Sequence, residues 1–391
     1  MQPKTDIKFD RSTFQNVKRT IQNMSMTSRA QKHDPTFALD IPDDVGIKLN
    51  NGCNLRCKHC FEWANDGFHH DMAKDIKNQE IELSLLESIL EQTRERKSRL
   101  FIWGGEPLFY KEFDAFADLL AKDPRNTTIC TNALLIEQKL DSILKISEDM
   151  TLLISLDGFE VENDAIRGKG TFKKVIHTIN MLLELQKTGE YKGRISIGLT
   201  INDSMVTRLY EFMEYFENLG VDSVYFVFPW YIPEDIAAKM DGYYDERFAW
   251  LEAAQQQQQR YSWHSFSFRV SEENIEPLIA EIDRVNKRVW QNRIRFQPAL
   301  ELDEVRDFIL GSEKPAMKRG QCLSIANRID VMPDGKVNPC KFFPEFTLGD
   351  LSNADLKDVF HNENFRKHRE VLGEGLTPIC SRCVLLYNYG R

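Results

Sequence analysis

Six short apolar runs, separated by stretches with helical spacing, constrain the fold of this chain more than any other feature. The runs are Gly46–Leu49, Leu100–Trp103, Thr127–Cys130, Leu152–Leu156, Ile195–Ile201 and Val224–Phe228. Between them Phe172, Val175, Ile176, Ile179 and Leu183 step by three and four. Leu209, Phe212, Met213 and Phe216 do the same before Gly220, a glycine placed to end a helix. Strands alternating with helices imply parallel β-α units joined by right-handed crossovers. Six such units predict an α/β chain built as an open, partial (β/α)6 TIM-like barrel. In such a sheet the ligand site lies at the carboxyl ends of the strands.

The rest of the chain divides around that core. Residues 1–45 read as a polar arm, 46–230 as the barrel, 231–315 as a helical connecting or substrate region, and 316–391 as a small α+β module. The connecting region carries two expected helices, around 243–260 and 272–291. Its Gln255–Gln259 tract reads as a solvated helix face. The acidic and aromatic segment Tyr231–Trp250 suits a substrate pocket or a packed core alike. In the terminal module Val331–Val337 reads as two strands joined by a Pro333-Asp334-Gly335 turn, followed by a helix near 353–372.

Composition narrows the function classes. A length of 391 residues is enough for two or three domains, and 42% apolar with 28% charged residues describes an ordinary soluble chain. The net charge of -9 argues against a broad polyanion-binding surface, so no nucleic-acid partner is expected. Runs of about 18 apolar residues, which a membrane span needs, are absent, and no membrane partner is expected. The arm is punctuated by Lys4, Asp6, Lys8, Asp10, Arg11, Lys18 and Arg19, without the apolar centre of a secretory signal, which predicts a cytoplasmic protein.

The eight cysteines are unevenly placed. Cys53, Cys57 and Cys60 follow directly on the first apolar run, and Cys322, Cys340, Cys380 and Cys383 fall near the end. In a cytoplasmic protein such clusters read as metal ligands. Three thiolates spaced by four and three can wrap one face of a [4Fe–4S] cluster and leave one iron open. The alternative is a zinc knuckle completed by His59, His69 or His70. The later four can close a complete sphere around either a zinc ion or an iron–sulfur cluster. Cys130, on a strand, reads as a buried inert thiol.

At Asn50-Asn-Gly-Cys53-Asn-Leu-Arg-Cys57-Lys-His-Cys60 the chain resembles the radical S-adenosylmethionine (radical SAM) superfamily, and the resemblance runs over about 45–230. Gly104-Gly105-Glu106-Pro107 is similar to that family's GGEP motif, which binds the methionine amino group. The resemblance further implies S-adenosylmethionine contacts at His59, Asn132, Ser155, Asp157, Arg167, Thr200 and Asn202. Ser155 and Thr200 suit a structural role equally well. Cys322, Gly335-x4-Cys340, Gly349-Asp350-Leu351 and Cys380-x2-Cys383 resemble the twitch module, the shortened form of the SPASM auxiliary-cluster domain. The chain ends at Arg391 without further cysteines, so one auxiliary cluster is expected.

The resemblance implies two [4Fe–4S] clusters, S-adenosylmethionine as cofactor, and an electron donor such as flavodoxin or ferredoxin. It implies a 5′-deoxyadenosyl radical that takes a hydrogen atom from the substrate, with net oxidation through the auxiliary cluster. Peptide maturation in natural-product biosynthesis and dehydrogenation or epimerisation of a sugar or aminocyclitol are the two substrate readings. A zinc-stabilised binding protein is the reading from outside the enzymes. No paired carboxylates or Ser-His-Asp set suggests acid–base or nucleophilic chemistry.

Overall fold

The structure, a computed structural model, describes residues 3–8, 10–251 and 260–391. The Gln255–Gln259 tract lies outside these residues, as does part of the helix expected around 243–260. Every expected barrel strand forms within two residues of its apolar run: β1 Asp44–Lys48, β2 Arg99–Trp103, β3 Thr127–Thr131, β4 Met150–Ser155, β5 Arg194–Thr200 and β6 Ser223–Val227. They pair in parallel and in chain order.

The sheet goes further than these strands at both edges. β7 (Arg293–Gln297) pairs in parallel with β6. At the other edge β8 (Arg328–Val331) pairs in parallel with β1, Arg328 opposite Asp44 and Val331 opposite Ile47. β9 (Lys336–Asn338) and β10 (Gly349–Asp350) then add antiparallel strands, giving a ten-stranded sheet in the order β10-β9-β8-β1-β2-β3-β4-β5-β6-β7. The hairpin read around Pro333-Asp334-Gly335 is present, and its first strand is part of the barrel wall.

Burial alternates with period two along β3 and β4 and in the last half of β5, as a sheet with one packed and one open face requires. Ile129, Leu152, Ile154, Ile197, Leu199, Val224 and Phe226 are buried. The opposite set includes Phe101, Cys130, Ser155, Thr200 and Val227, which line the main cleft. Helix Thr171–Thr188 buries Val175, Ile179, Leu182 and Leu183, and helix Leu209–Leu219 buries Leu209, Phe212, Met213 and Phe216. The second ends at Gly220, whose φ of +94° is the left-handed conformation its position predicts.

Three sequence expectations are corrected. The first connecting helix starts at Glu234, directly after Pro233, and ends at Arg247. The second spans Ile275–Asn286. The helix near 353–372 is two helices, Leu356–Phe360 and Glu363–Glu374, because the Asn362 side chain accepts the Phe365 N–H at 2.8 Å and caps the second. Tyr231–Trp250 supplies core: Tyr244 and Phe248 are fully buried against Phe346. The arm holds helix Arg11–Ala30, whose Arg19 pairs with Asp43 just before β1.

On β8, packed over Gly46 of β1, lies a buried ion pair. The Arg328 guanidinium donates to both oxygens of Asp330, at 2.8 and 2.6 Å, and Asp330 is fully buried. Gly46 of β1 makes the room, since a Cβ there would overlap the Asp330 carboxylate and the Arg328 guanidinium. Breaking a buried pair costs more than the pair contributes. Gly46→Ala is therefore expected to destabilise the protein by on the order of 3 kcal/mol in urea unfolding. An unfolding midpoint equal to that of the parent would show that the pair moves aside freely.

Candidate functional site

The loop after β1 begins with Asn50 and carries all three N-terminal cysteines. It is held by the loop after β2. The Gly105 N–H donates to the Asn50 carbonyl and the Glu106 N–H to the Gly52 carbonyl, both at 2.9 Å. A Cβ at Gly104 would overlap the Asn50 side chain, and one at Gly105 the Gly52 carbonyl. These two glycines thus let one loop backbone lie on the other. Pro107 opens a 3-10 turn, Pro107–Phe109, with Glu106 as its cap.

Glu106 is buried, and its carboxylate accepts from the Thr131 hydroxyl at 2.6 Å, the Asn132 N–H at 2.8 Å and the Leu108 N–H at 3.1 Å. Burial pushes its pKa up against the pull of these donors. Asn132 donates from Nδ2 to Asn54 inside the cysteine loop at 2.7 Å.

A second charged group closes the far side. Asp157, fully buried after β4, pairs through Oδ2 with His59 Nε2 and with Arg167 Nε, each at 2.6 Å, and accepts the Thr200 N–H at 2.9 Å. Burial alone would raise its pKa. Arg167, His59 and the Thr200 N–H outweigh that and hold the carboxyl well below the usual range. Arg167 reaches on to the Cys57 Sγ at 3.8 Å. Asn202 donates to the Asp157 and Thr200 carbonyls, both at 3.0 Å, and so fixes the turn.

A cleft of about 270 Å³ joins these parts. Cys53, Cys57, Cys60, His59, Gly104, Gly105, Glu106, Asn132, Ser155, Arg167 and Thr200 all line it. Asp157, Asn202 and Pro107 stand behind the wall as supports. Cys130 lines it too, beside the Ser155 hydroxyl. The rest of the wall is aromatic, including Phe61, Trp103, Trp230, Phe266, Phe268 and Phe342.

Of the three histidines weighed as zinc ligands, His59 and His69 are engaged elsewhere and His70 is exposed. His59 belongs to Asp157. His69 is buried 3.4 Å from the Lys48 Nζ, and burial holds it neutral. Among the described residues no three His, Cys, Asp or Glu side chains converge on a point that a single metal ion could fill. The three thiols share one wall of the cleft, which suits a larger group spread across them. Burial pushes the Cys53 and Cys60 thiols up to about 12, so the metal must displace their protons.

The other four cysteines meet in a second pocket. Cys322, Cys340, Cys380 and Cys383 line it together with Ile325, Phe343, Leu372 and Leu386. The set is closed and apolar, as a fully ligated centre requires. The sequence reading missed His368, buried on helix Glu363–Glu374 with Nε2 at 3.8 Å from the Cys340 Sγ. It also missed Lys341, which follows Cys340 and lines the main cleft; burial pushes its ammonium down to about 8. Neither stands in a motif, because distant segments place both.

The fold, the thiol-lined cleft and the all-cysteine pocket agree with what comparison with known proteins finds. The radical SAM superfamily matches residues 47–213, and the SPASM iron–sulfur cluster-binding domain matches residues 322–384. The chain carries a radical SAM domain followed by a C-terminal SPASM domain.

Among its relatives, the pre-heme d1 synthase of Dinoroseobacter shibae is 28% identical over 194 residues, covering 49% of this chain and 45% of that protein. The antilisterial bacteriocin subtilosin biosynthesis protein AlbA of Bacillus subtilis is 20% identical over 363 residues, covering 89% of this chain and 66% of that one. The chain thus spans from under half to about two thirds of the length of these relatives. Among solved structures, Streptococcus suis SuiB bound to the precursor peptide SuiA aligns with a TM-score of 0.57 at 15% identity. That alignment covers 93% of this chain and 73% of SuiB and shows a shared fold. Among the described residues no helix is long and apolar enough to cross a membrane.

The Asp157 triad carries a pH signature. Asp157→Asn leaves the Arg167 guanidinium buried without its counter-charge and is expected to cost about 3 kcal/mol at neutral pH. The folded-state pKa lies below the unfolded one, so this stability is present above the ordinary carboxylate range. The gap between parent and variant should shrink as pH falls through that range. Unfolding curves separated by the same amount at every pH would rule the charge out as the cause.

Proposed function

We propose that this chain is a radical SAM oxidoreductase that acts on a peptide, with Cys53, Cys57 and Cys60 holding a [4Fe–4S] cluster and Cys322, Cys340, Cys380 and Cys383 an auxiliary one. The observation that carries the reading is the meeting of three open thiols, the Gly104–Pro107 loop and the Asp157–Arg167 pair in one cleft. When bound, the clusters and S-adenosylmethionine supply the redox chemistry: reductive cleavage to a 5′-deoxyadenosyl radical at the first, and a sink for the substrate's electron at the second.

The protein's own work is to bind, orient and keep water out. Glu106 is preset by three donors, and its buried carboxylate faces the cleft where the ligand's ammonium would lie. Asn132 and Thr200 border the same space, while Asp157 keeps Arg167 directed toward Cys57 and His59 at the rim. The aromatic wall excludes solvent from the hydrogen-abstraction step. Net oxidation is supported by the auxiliary ligand Cys340, since the next two residues, Lys341 and Phe342, already line the cleft. A peptide as substrate is supported by the likeness of fold to SuiB, which binds a precursor peptide. A flavodoxin or ferredoxin is the proposed electron donor.

Anaerobic reconstitution tests this. Replacing Cys53, Cys57 and Cys60 by Ala should remove about half of the bound iron and abolish S-adenosylmethionine cleavage. Replacing Cys380 and Cys383 by Ala should leave cleavage intact while loss of two hydrogens from a co-expressed precursor peptide, read by mass spectrometry, disappears. Cleavage that survives in the triple variant would overturn the radical reading. Oxidised peptide from the folded double variant would overturn the auxiliary one.

A further inference from the structure

Lys341 has no carboxylate in contact: Asp330 and Glu62 act on it only across space, and they are bonded to Arg328 and Lys48. Lys341 is only 9% exposed, and its Nζ stands 3.9 Å from the centroid of Phe101, 4.7 Å from Trp103 and 5.0 Å from Phe342. Aromatic faces attract a cation but do not neutralise it. Other cations buried nearby have a carboxylate in contact: Lys48 has Glu62 at 2.5 Å, Arg167 has Asp157, and Arg328 has Asp330. Among the described residues no carboxylate or carbonyl stands within hydrogen-bond reach of the Lys341 Nζ. A buried charge is costly unless an opposite charge reaches it, so a site of this kind is completed by an anionic ligand.

The position of Lys341 says where that ligand enters. Beside the main cleft lies a second cavity of about 310 Å³, bordered by Lys48, His69, Gln79, Asp334 and Lys336. None of the cysteines line it. Glu62, Trp103, Lys341 and Phe342 line both cavities and form the wall between them. A group held at the Lys341 Nζ therefore touches the thiol-lined cleft on one side and has room for flanking residues on the other.

We propose that Lys341 anchors a carboxylate of the substrate, an Asp or Glu side chain of a peptide whose neighbouring residues occupy the second cavity. The choice of a peptide rests on the function proposed above; the carboxylate rests on Lys341 itself. The cation fixes the residue beside the radical, and the three aromatic rings hold the ammonium in place and exclude competing water.

The test uses the reconstituted full chain and four blocked probes: acetyl-Gly-Glu-Gly-amide, acetyl-Gly-Gln-Gly-amide, and the single residues acetyl-Glu-amide and acetyl-Gln-amide. By calorimetry the parent should bind the Glu tripeptide at least about ten-fold more tightly than its Gln counterpart, the preference of a charge-assisted contact. Lys341→Met should erase that preference, Lys341→Arg should keep part of it, and circular dichroism confirms that both fold. S-adenosylmethionine affinity is the control. If it falls in Lys341→Met while the tripeptides are not discriminated, the anion is the cofactor's own carboxylate and the proposal fails. If the parent separates the single residues but binds neither tripeptide, the carboxylate site stands and the peptide reading falls. No preference for Glu by any probe, or a preference undiminished in folded Lys341→Met, overturns the anchor and leaves the peptide reading to its own test.

Discussion

The pairing of β8 with β1 is the interaction on which the rest of the arrangement depends. It places the C-terminal cysteines at the open side of the barrel, because β8 lies beside the strand that feeds the first cysteine loop. The register is set by side chains as well as by the backbone ladder. Arg328 and Asp330 fit only where Gly46 leaves space. A slip by one residue would turn both charges to the other face of the sheet and leave them unpaired. Arg99, which bonds to Asp43 and Asp44, and Tyr389, which donates to Asp44 at 3.0 Å, lock the same corner from the barrel and from the C-terminal tail.

What could be read from the sequence was what repeats locally. The barrel strands show as apolar runs, the helices Thr171–Thr188 and Leu209–Leu219 as three-and-four spacing, and the cysteine loop as close thiols. β7 escaped because Arg293-Ile-Arg-Phe-Gln has only two apolar residues, Ile294 and Phe296, too short an alternation to stand out. β8 was legible only at Val331, as the start of the hairpin, because Arg328 and Asp330 are charged and compensate one another only once folded. Both are strands by tertiary context rather than by propensity.

The same divide runs through the site. Cys53, Cys57, Cys60, Glu106 and Arg167 were found from motifs, and the structure brings them to one cleft. Their supporting chemistry was not visible. Gly104 and Gly105 line the cleft, and their missing side chains also make way for residues 50–52, which the motif alone does not show. Asp157 and Asn202 stand out as contacts; their bonds to His59, Arg167 and Thr200 are not visible in the sequence. Phe266 and Phe268, from the segment after the undescribed residues, complete a wall whose other members include Phe61, far earlier in the chain.

One consequence of the β8–β1 ladder concerns how such a chain can be cut. Every residue of β1 is buried, and its outer edge is covered only because the C-terminal module lies on it. Trimming away residues from Arg328 onward would not release a tidy smaller catalyst. It would bare a normally covered strand edge with free backbone groups, which is the template for sheet-to-sheet aggregation. The terminal iron–sulfur module is in this sense the barrel's own edge protection, and the two share one folding unit whatever each does in the chemistry.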